Sequence, residues 1–261
     1  MKKLFVIKIG GDIIDDEKQL SSFLNDFSSI SENKILVHGG GKIATEIGKQ
    51  LGIEPKMIEG RRITDEATLR VVQMVYGGLI NKNIVAQLQS RNCNAIGLTG
   101  ADGNSILAKK RPVKDVDYGF VGDVELVETQ IFLSLLNTGL SPVLAPLTHD
   151  GKGQILNTNA DTIASAVASA LSKLYEVNLI YCFEKSGVLK NADDENSVIE
   201  KINSKEHEKL KRDGVISQGM IPKLNNAFDA LKQGVRIVVI CHAKDLKKAT
   251  LNKKAGTRLE K

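Results

Sequence analysis

The sequence predicts an α/β fold built on a doubly wound, mostly parallel sheet. Short runs rich in β-branched residues alternate with amphipathic stretches over most of the chain. Those runs are apolar almost throughout rather than at every second residue, as strands buried on both faces must be. At 261 residues the chain is long enough for one large α/β domain with a substantial core.

Taken in order, the predicted strands are 4–9 (LFVIKI), 34–38 (KILVH), 94–98 (NAIGL), 142–146 (PVLAP), 177–183 (VNLIYCF) and 235–240 (VRIVVI). Between them, Ile43–Leu51 reads as a helix. Residues 64–91 read as one long helix or two broken near Gly77–Gly78, with Thr64 and Asp65 offering N-cap oxygens. The stretch 158–174 carries Ile163, Val167, Ala170, Leu171 and Leu174 at helical spacing, and 223–234 ends at a C-cap glycine. Strand and helix in alternation point to the doubly wound sheet. Two segments break the pattern: 105–112 with 117–127, and 54–64, have strand composition around turn chemistry and read as β-hairpins that could cover the sheet edge. The stretch 190–196 reads as a solvated loop.

Composition excludes several functions. Lys plus Arg exceed Asp plus Glu by 36 to 31, a mild +5 bias that suits a small anionic substrate better than a nucleic-acid track. Aromatics make up only 4 %, and no basic cluster is interleaved with stacking rings, so no nucleic-acid partner is expected. Cys93, Cys182 and Cys241 are odd in number and far apart, without metal-ligand spacing, and read as buried thiols in a reducing compartment. The N-terminal apolar run is broken by Lys8 and fails as a signal peptide, and no uncharged apolar span is long enough to cross a bilayer. The expectation is a cytoplasmic protein with no membrane partner.

Two glycine loops, KIGGD (8–12) after the first strand and HGGGK (38–42) after the second, sit where open α/β sheets bind ligands, and glycine lets backbone N–H groups approach an anion. The Walker pattern fails, because Ile43 follows Lys42 where Ser or Thr is required. A dinucleotide fingerprint fits Gly39, Gly41 and Ala44, with Glu59 as the ribose acid, but leaves the first loop, Lys8 and the chain beyond residue 100 without a role. Plain tight turns would explain one loop more readily than two. Further on, Asn157, Asn159 and Asp161 stand at a helix start, where capping is the ordinary reason for Asn159. Lys223 follows Pro222 at another helix start, an unfavourable place for a cation unless an anion such as a polyphosphate compensates it.

In series, IKIGGD (7–12), VHGGGK (37–42), GRRIT (60–64), GLTGADG (97–103), GFVGDV (119–124), LNTNAD (156–161), GMIPKLNNA (219–227) and GTRL (256–259) closely resemble the amino acid kinase family over essentially the full length. Within it, they are most similar to the members that phosphorylate N-acetyl-L-glutamate. The resemblance implies a three-layer sandwich with an eight-stranded, mostly parallel central sheet in a single domain, 1–261. Its N-lobe, about 1–175, would serve acceptor binding and dimerisation, and its C-lobe, about 176–261, ATP binding. It implies transfer of the γ-phosphoryl group of ATP, with Mg2+, to the γ-carboxylate of an N-acylated glutamate, the second step of arginine biosynthesis. Lys8 would stabilise the transferring group, Lys223 the leaving side of the ATP phosphates, and Asp161 would orient both lysines. The amides of Gly11 and Gly40 would be oxyanion-type donors. Gly40, Gly41, Arg62, Asn157 and Asn159 would bind the acceptor, and Lys8, Gly10, Gly11, Glu184, Gly187, Gly219 and Lys223 the nucleotide. Magnesium would be held by phosphates and water rather than by a protein metal site.

Two departures stand out. Family members commonly carry Thr or Ser, then Asp, where this chain has Phe183 and Glu184, which leaves the nucleotide role of Glu184 open. Arginine-inhibited members carry an extra N-terminal helix, whereas here the first strand starts at Leu4, so the expectation is a homodimer without arginine feedback, joined through the helix at 64–91. His38 reads as a packed or hydrogen-bonded residue at a strand end. Kinases for N-succinylglutamate or an acylated aminoadipate, a catalytically silent sensor and, more remotely, an oxidoreductase remain alternatives. The hairpin at 105–127 is the place to look for the acyl pocket.

Overall fold

The computed structural model describes residues 1–58, 61–191, 193–216 and 220–260. They form two compact units, 1–35 with 164–261, and 36–163. The first unit opens with β1 (Lys3–Ile9), α1 (Gly11–Ile14) and α2 (Glu17–Ser28), and the chain leaves it within β2 (Asn33–His38). The second begins with α3 (Gly41–Gln50), the ribbon strands β3 (Met57–Ile58) and β4 (Arg61–Arg62), and a long helix. That helix runs through α4 (Glu66–Val72), a π-helical segment Gln73–Ile80 and α5 (Asn81–Gln89). Strands β5 (Ala95–Leu98), β6 (Ile106–Lys110) and β7 (Gly122–Val127), helix α6 (Thr129–Asn137), and strands β8 (Ser141–Leu144), β9 (Leu147–His149) and β10 (Ile155–Asn157) complete it. The chain returns within α7 (Ala160–Leu171) to β11 (Glu176–Phe183), β12 (Lys201–Ile202), α8 (Ser204–Arg212), α9 (Met220–Lys232), β13 (Ile237–His242), α10 (Leu246–Thr250) and β14 (Thr257–Leu259).

In the first unit the strand order is β12-β14-β13-β11-β1, parallel except between β13 and β14. β1 lies on β11 in an unbroken register from Lys3 opposite Glu176 to Ile9 opposite Cys182. Leu4–Ile9 and Val177–Phe183 are buried along their whole length, which is why both segments are apolar runs rather than alternating ones. This pairing also draws residues 1–35 into one unit with the C-terminal part of the chain, a different boundary from the division near residue 175 read from the sequence. Leu20, Phe23, Leu24 and Phe27 fill one face of α2, and Asp16 caps it by accepting from the N–H groups of Lys18 (2.9 Å) and Gln19 (3.0 Å). A cap of this kind stabilises a helix by about 1 kcal/mol. At its other end the buried Lys34 ammonium donates to the carbonyls of Ser28 (3.1 Å) and Ile30 (2.6 Å), so a charge in the core is matched by helix-end oxygens.

In the second unit β8 stands between β2 and β5, all parallel. A four-stranded sheet, β10-β9-β6-β7, holds the larger predicted hairpin as the antiparallel pair β6–β7, and β3–β4 form the smaller one. The helix over 64–91 does not break at Gly77–Gly78; it widens there into the π-helical turns, with the Asn81 N–H reaching back to the Tyr76 carbonyl. Of the two expected caps Asp65 alone serves, accepting from the Thr68 N–H (2.9 Å), which holds its carboxyl below the usual range. Thr64 is employed elsewhere. The α/β class with a mostly parallel central sheet holds, and among the described residues no helix is long and apolar enough to cross a membrane.

Candidate active site

In the second unit, the HGGGK loop is built on a strand end that is fixed from below. His38 is fully buried; its Nδ1–H donates to the Gly39 carbonyl (2.8 Å), and its Nε2 accepts from Asn81 Nδ2 (3.2 Å), which also donates to the Val143 carbonyl (3.0 Å). Burial drives its pKa down to about 4, with the Lys82 charge adding to the effect, so the ring is neutral and structural. Gly40 has φ +140°, and a Cβ there would collide with Ile80 Cδ1; glycine is required both by its backbone and by the helix packed against it. Gly41 opens α3.

Arg62 reaches this loop. Its Nη2 donates to the Gly41 carbonyl (2.8 Å) and to Thr45 Oγ1 (2.8 Å), which locks the guanidinium beside the helix start. Tyr76 completes the setting: burial pushes its phenol up, while the Arg62 charge and hydrogen bond oppose that. Two residues along, the buried Thr64 pairs its backbone with Tyr118 and Phe120 (Thr64 N to Tyr118 O 2.9 Å, Phe120 N to Thr64 O 2.7 Å). Its hydroxyl accepts from Asn157 Nδ2 (3.0 Å). Gly119, at φ +70°, lies so close to the Thr64 backbone that no Cβ fits. Gly40, Gly41, Arg62 and Asn157, expected together from sequence, are thus tied to one framework, with Thr45, Thr64 and Tyr76 as supports that the motifs alone did not single out. Asn159 does what capping predicts: its Oδ1 accepts from the Thr162 N–H (3.0 Å), and Asp161 follows, buried in the first turn of α7.

The first unit carries the other group of predicted residues. Lys8 is buried in β1 opposite Tyr181, directly before the first glycine loop. The Gly10 N–H donates to the Cys182 carbonyl (2.9 Å), and a Cβ on Gly10 would press on Phe183 Cβ at 3.3 Å; Gly11 starts α1. Phe183 is itself buried, and the Lys223 ammonium stands over its ring, 4.5 Å from the centroid. The residue that departs from the family pattern therefore supports one of the predicted lysines by a cation–π contact.

Glu184 is exposed beside a loop pinned by Lys185 and Ser186 to Glu195. Gly187 packs under Thr257 and Val198, where a Cβ would meet the Thr257 hydroxyl at 2.8 Å, a structural reason for the glycine. Gly219 lies outside the described residues, as do Glu59 and Gly60. Cys182 and Cys241 face each other at 3.9 Å in the core, and the neighbouring thiol together with burial pushes Cys182 up, which disfavours its reactive thiolate. Among the described residues no group of three or more His, Cys, Asp or Glu is placed to hold a metal ion.

The first unit carries a glycine loop behind the buried Lys8, with Lys223 over Phe183, and the second a glycine loop with an arginine held against it, groups that suit anions. The model of the amino acid kinase family matches residues 3–242. An acetylglutamate kinase from Cytophaga hutchinsonii is 60 % identical over 261 residues, covering 99 % of both chains. One from Bacteroides thetaiotaomicron is 58 % identical over 260 residues, covering 100 % of this chain and 99 % of its own. Among solved structures, the N-acetylglutamate synthase of Neisseria gonorrhoeae complexed with coenzyme A and N-acetyl-glutamate superposes with a TM-score of 0.83 at 22 % identity, over 99 % of this chain and 59 % of that one, a likeness of fold. With motifs in order, matching architecture and full-length relatives, the chain belongs to the amino acid kinase family.

Proposed function

We propose that the protein transfers the γ-phosphoryl group of ATP to the γ-carboxylate of N-acetyl-L-glutamate, giving N-acetyl-L-glutamyl 5-phosphate and ADP in arginine biosynthesis. The observation that carries this reading is the Arg62 guanidinium fixed on the HGGGK loop, in a chain whose full-length relatives are named acetylglutamate kinase. The acceptor carboxylate is ionised at neutral pH, so no general base is needed. One of its oxygens forms a bond to the γ-phosphorus as the bond to the bridging oxygen of ADP breaks. Catalysis is then alignment and neutralisation of charge.

We assign Lys8 to the transferring phosphoryl group, Lys223 to the ATP phosphates and Asp161 to the counter-charge that orients these ammonium groups. The Gly11 and Gly40 amides are the donors to developing negative charge. Arg62 and Asn157, with the Gly40–Gly41 backbone, hold the carboxylate of the amino acid. Mg2+ enters with the nucleotide, held by phosphate oxygens and water, and neutralises phosphate charge. Glu184, being exposed, has the weakest support as a nucleotide residue.

We read the protein as a cytoplasmic homodimer joined through the helix at 66–89; Met74 and Leu79, each large and apolar, are 56 % and 45 % exposed on its π-helical segment. Static light scattering at micromolar concentration should give twice the chain mass. The activity is tested by trapping the acyl phosphate as a hydroxamate with MgATP and N-acetyl-L-glutamate. Absence of product in a preparation that binds ATP would overturn the reading.

A further inference from the structure

Three glycines in a row, Gly39 to Gly41, leave their loop without side chains to hold its peptide planes, and glycine tolerates either sign of φ, so a peptide here can turn over at little cost. The Gly39–Gly40 peptide matters most. It carries the Gly40 N–H on one edge and the Gly39 carbonyl on the other, and in a trans, planar peptide the two point in opposite directions. Whatever holds the carbonyl therefore aims the N–H.

The carbonyl is held by His38. A carbonyl only accepts, so its 2.8 Å contact with Nδ1 places the ring hydrogen on that nitrogen. The other ring nitrogen, Nε2, faces the Asn81 side-chain nitrogen at 3.2 Å and accepts. Asn81 cannot reverse its amide, because both ends are claimed. Its Nδ2 also donates to the Val143 carbonyl (3.0 Å), and its Oδ1 accepts from the Lys82 ammonium (3.1 Å), itself anchored on the Gly97 carbonyl (3.1 Å). Gly97 leaves room for this, since a Cβ there would collide with Asn81 Oδ1. His38 and Asn81 are both buried, so these hydrogen bonds are fixed in the core rather than exchanged with water. The chain of contacts runs from Lys82 through Asn81 and the ring to one peptide of the glycine loop.

We propose that His38 is a positioning residue for phosphoryl transfer: its Nδ1–H locks the Gly39–Gly40 peptide so that the Gly40 N–H faces away from the ring, toward the developing negative charge. The inference rests on the kinase reading above, in which the Gly40 amide is a donor to that charge. With the lock lost, the peptide can turn and present its carbonyl to the phosphoryl oxygens, replacing attraction by repulsion. The effect belongs to kcat, since the charge it answers develops in the transition state.

Two substitutions separate this lock from mere filling of the core. In His38→Asn the side-chain nitrogen can take the place of Nδ1 and still donate to Gly39, while the contact with Asn81 is lost. In His38→Gln the amide reaches the place of Nε2 and can still meet Asn81, but the donor to Gly39 is lost. Steady-state kinetics with MgATP and N-acetyl-L-glutamate should show kcat lowered about tenfold to a hundredfold in His38→Gln, less than the full loss of an oxyanion donor, with both KM values within about threefold of wild type. His38→Asn should keep kcat within about threefold of wild type, although its larger void and the unpaired Asn81 N–H give it the lower thermal midpoint of the two. A kcat lower in His38→Asn than in His38→Gln, following the thermal midpoints, would overturn the proposal and leave the kinase reading intact. So would an unchanged kcat in His38→Gln. The wild-type ring gives a reading that needs no variant: long-range 1H–15N NMR at about pH 7 should place the hydrogen on Nδ1, and a hydrogen on Nε2 would by itself overturn the proposal. No turnover by the wild-type protein, with ATP binding retained, would remove the kinase reading and this inference with it.

Discussion

Acidification should destabilise this protein, and one ring, His38, contributes a share that can be isolated. In the folded chain its pKa is driven from 6.5 to about 4 by burial, whereas an unfolded chain leaves it near 6.5. The folded state thus binds fewer protons than the unfolded state between those values, and stability falls as pH drops through that window. It is intact above about pH 6.5 and lost in full only below about pH 4. The gap corresponds to about 3 kcal/mol in total, of which about 2 kcal/mol falls between pH 7 and pH 5. His38→Gln removes the titration, so the decrease in unfolding free energy from pH 7 to pH 5, measured by urea denaturation, should be about 2 kcal/mol smaller in the variant than in the wild-type chain. Taking the difference cancels the other titrating groups. NMR of the wild-type protein gives a second reading, in which the His38 ring stays neutral at pH 5. Equal pH slopes in the two proteins, or a His38 ring that protonates near pH 6.5, would refute the reasoning.

Other outcomes follow from the assigned roles. Lys8→Ala should lower kcat by about a hundredfold to a thousandfold, as loss of a transition-state donor does, and a variant with near-normal kcat would remove Lys8 from the chemistry. Arg62→Ala should act chiefly on the acceptor KM, raising it about tenfold or more with ATP KM little changed, which steady-state kinetics will resolve. Phe183→Leu should raise the ATP KM about twofold to fivefold by removing the face beneath the Lys223 ammonium, with Phe183→Tyr restoring it; equal kinetics in all three would show that the ring only fills space. Gly40→Ala should be destabilised by about 1–3 kcal/mol through positive φ and the Ile80 collision, seen as a lower thermal midpoint.

Much of this was legible because the relevant signals are local. A buried parallel strand declares itself by an unbroken apolar run, and both hairpins by strand composition around turn residues, so β1, β11, β6–β7 and the ribbon were readable. Helix α2 is likewise written in the sequence, with Leu20, Phe23, Leu24 and Phe27 at helical spacing behind Asp16. The edge strand β12 and its neighbour β14 were not, being two and three residues long with no periodicity to detect. In the site, Arg62 and Asn157 announced themselves by motif, but their supports did not. Thr64 looked like a helix cap and became a backbone partner of Tyr118 and Phe120. Phe183 was visible as a departure, yet its role depends on Lys223, forty residues away in sequence.

The π-helical segment acts as a phase adjuster. Its hydrogen bonds reach one residue further than those of an α-helix, so it absorbs an extra residue while the helix beyond it keeps its facing. Were Gln73–Ile80 to wind as regular α-turns with no residue removed, the part beyond would be turned by about 100° relative to the part before it. Asn81 would then leave both His38 and the Val143 carbonyl, and Ile80 would turn away from the glycine loop. The winding of the helix is thus fixed at a place where its glycines and exposed side chains would otherwise suggest freedom, and variants that favour regular α-turns there at unchanged length should lose acceptor binding before they lose the fold.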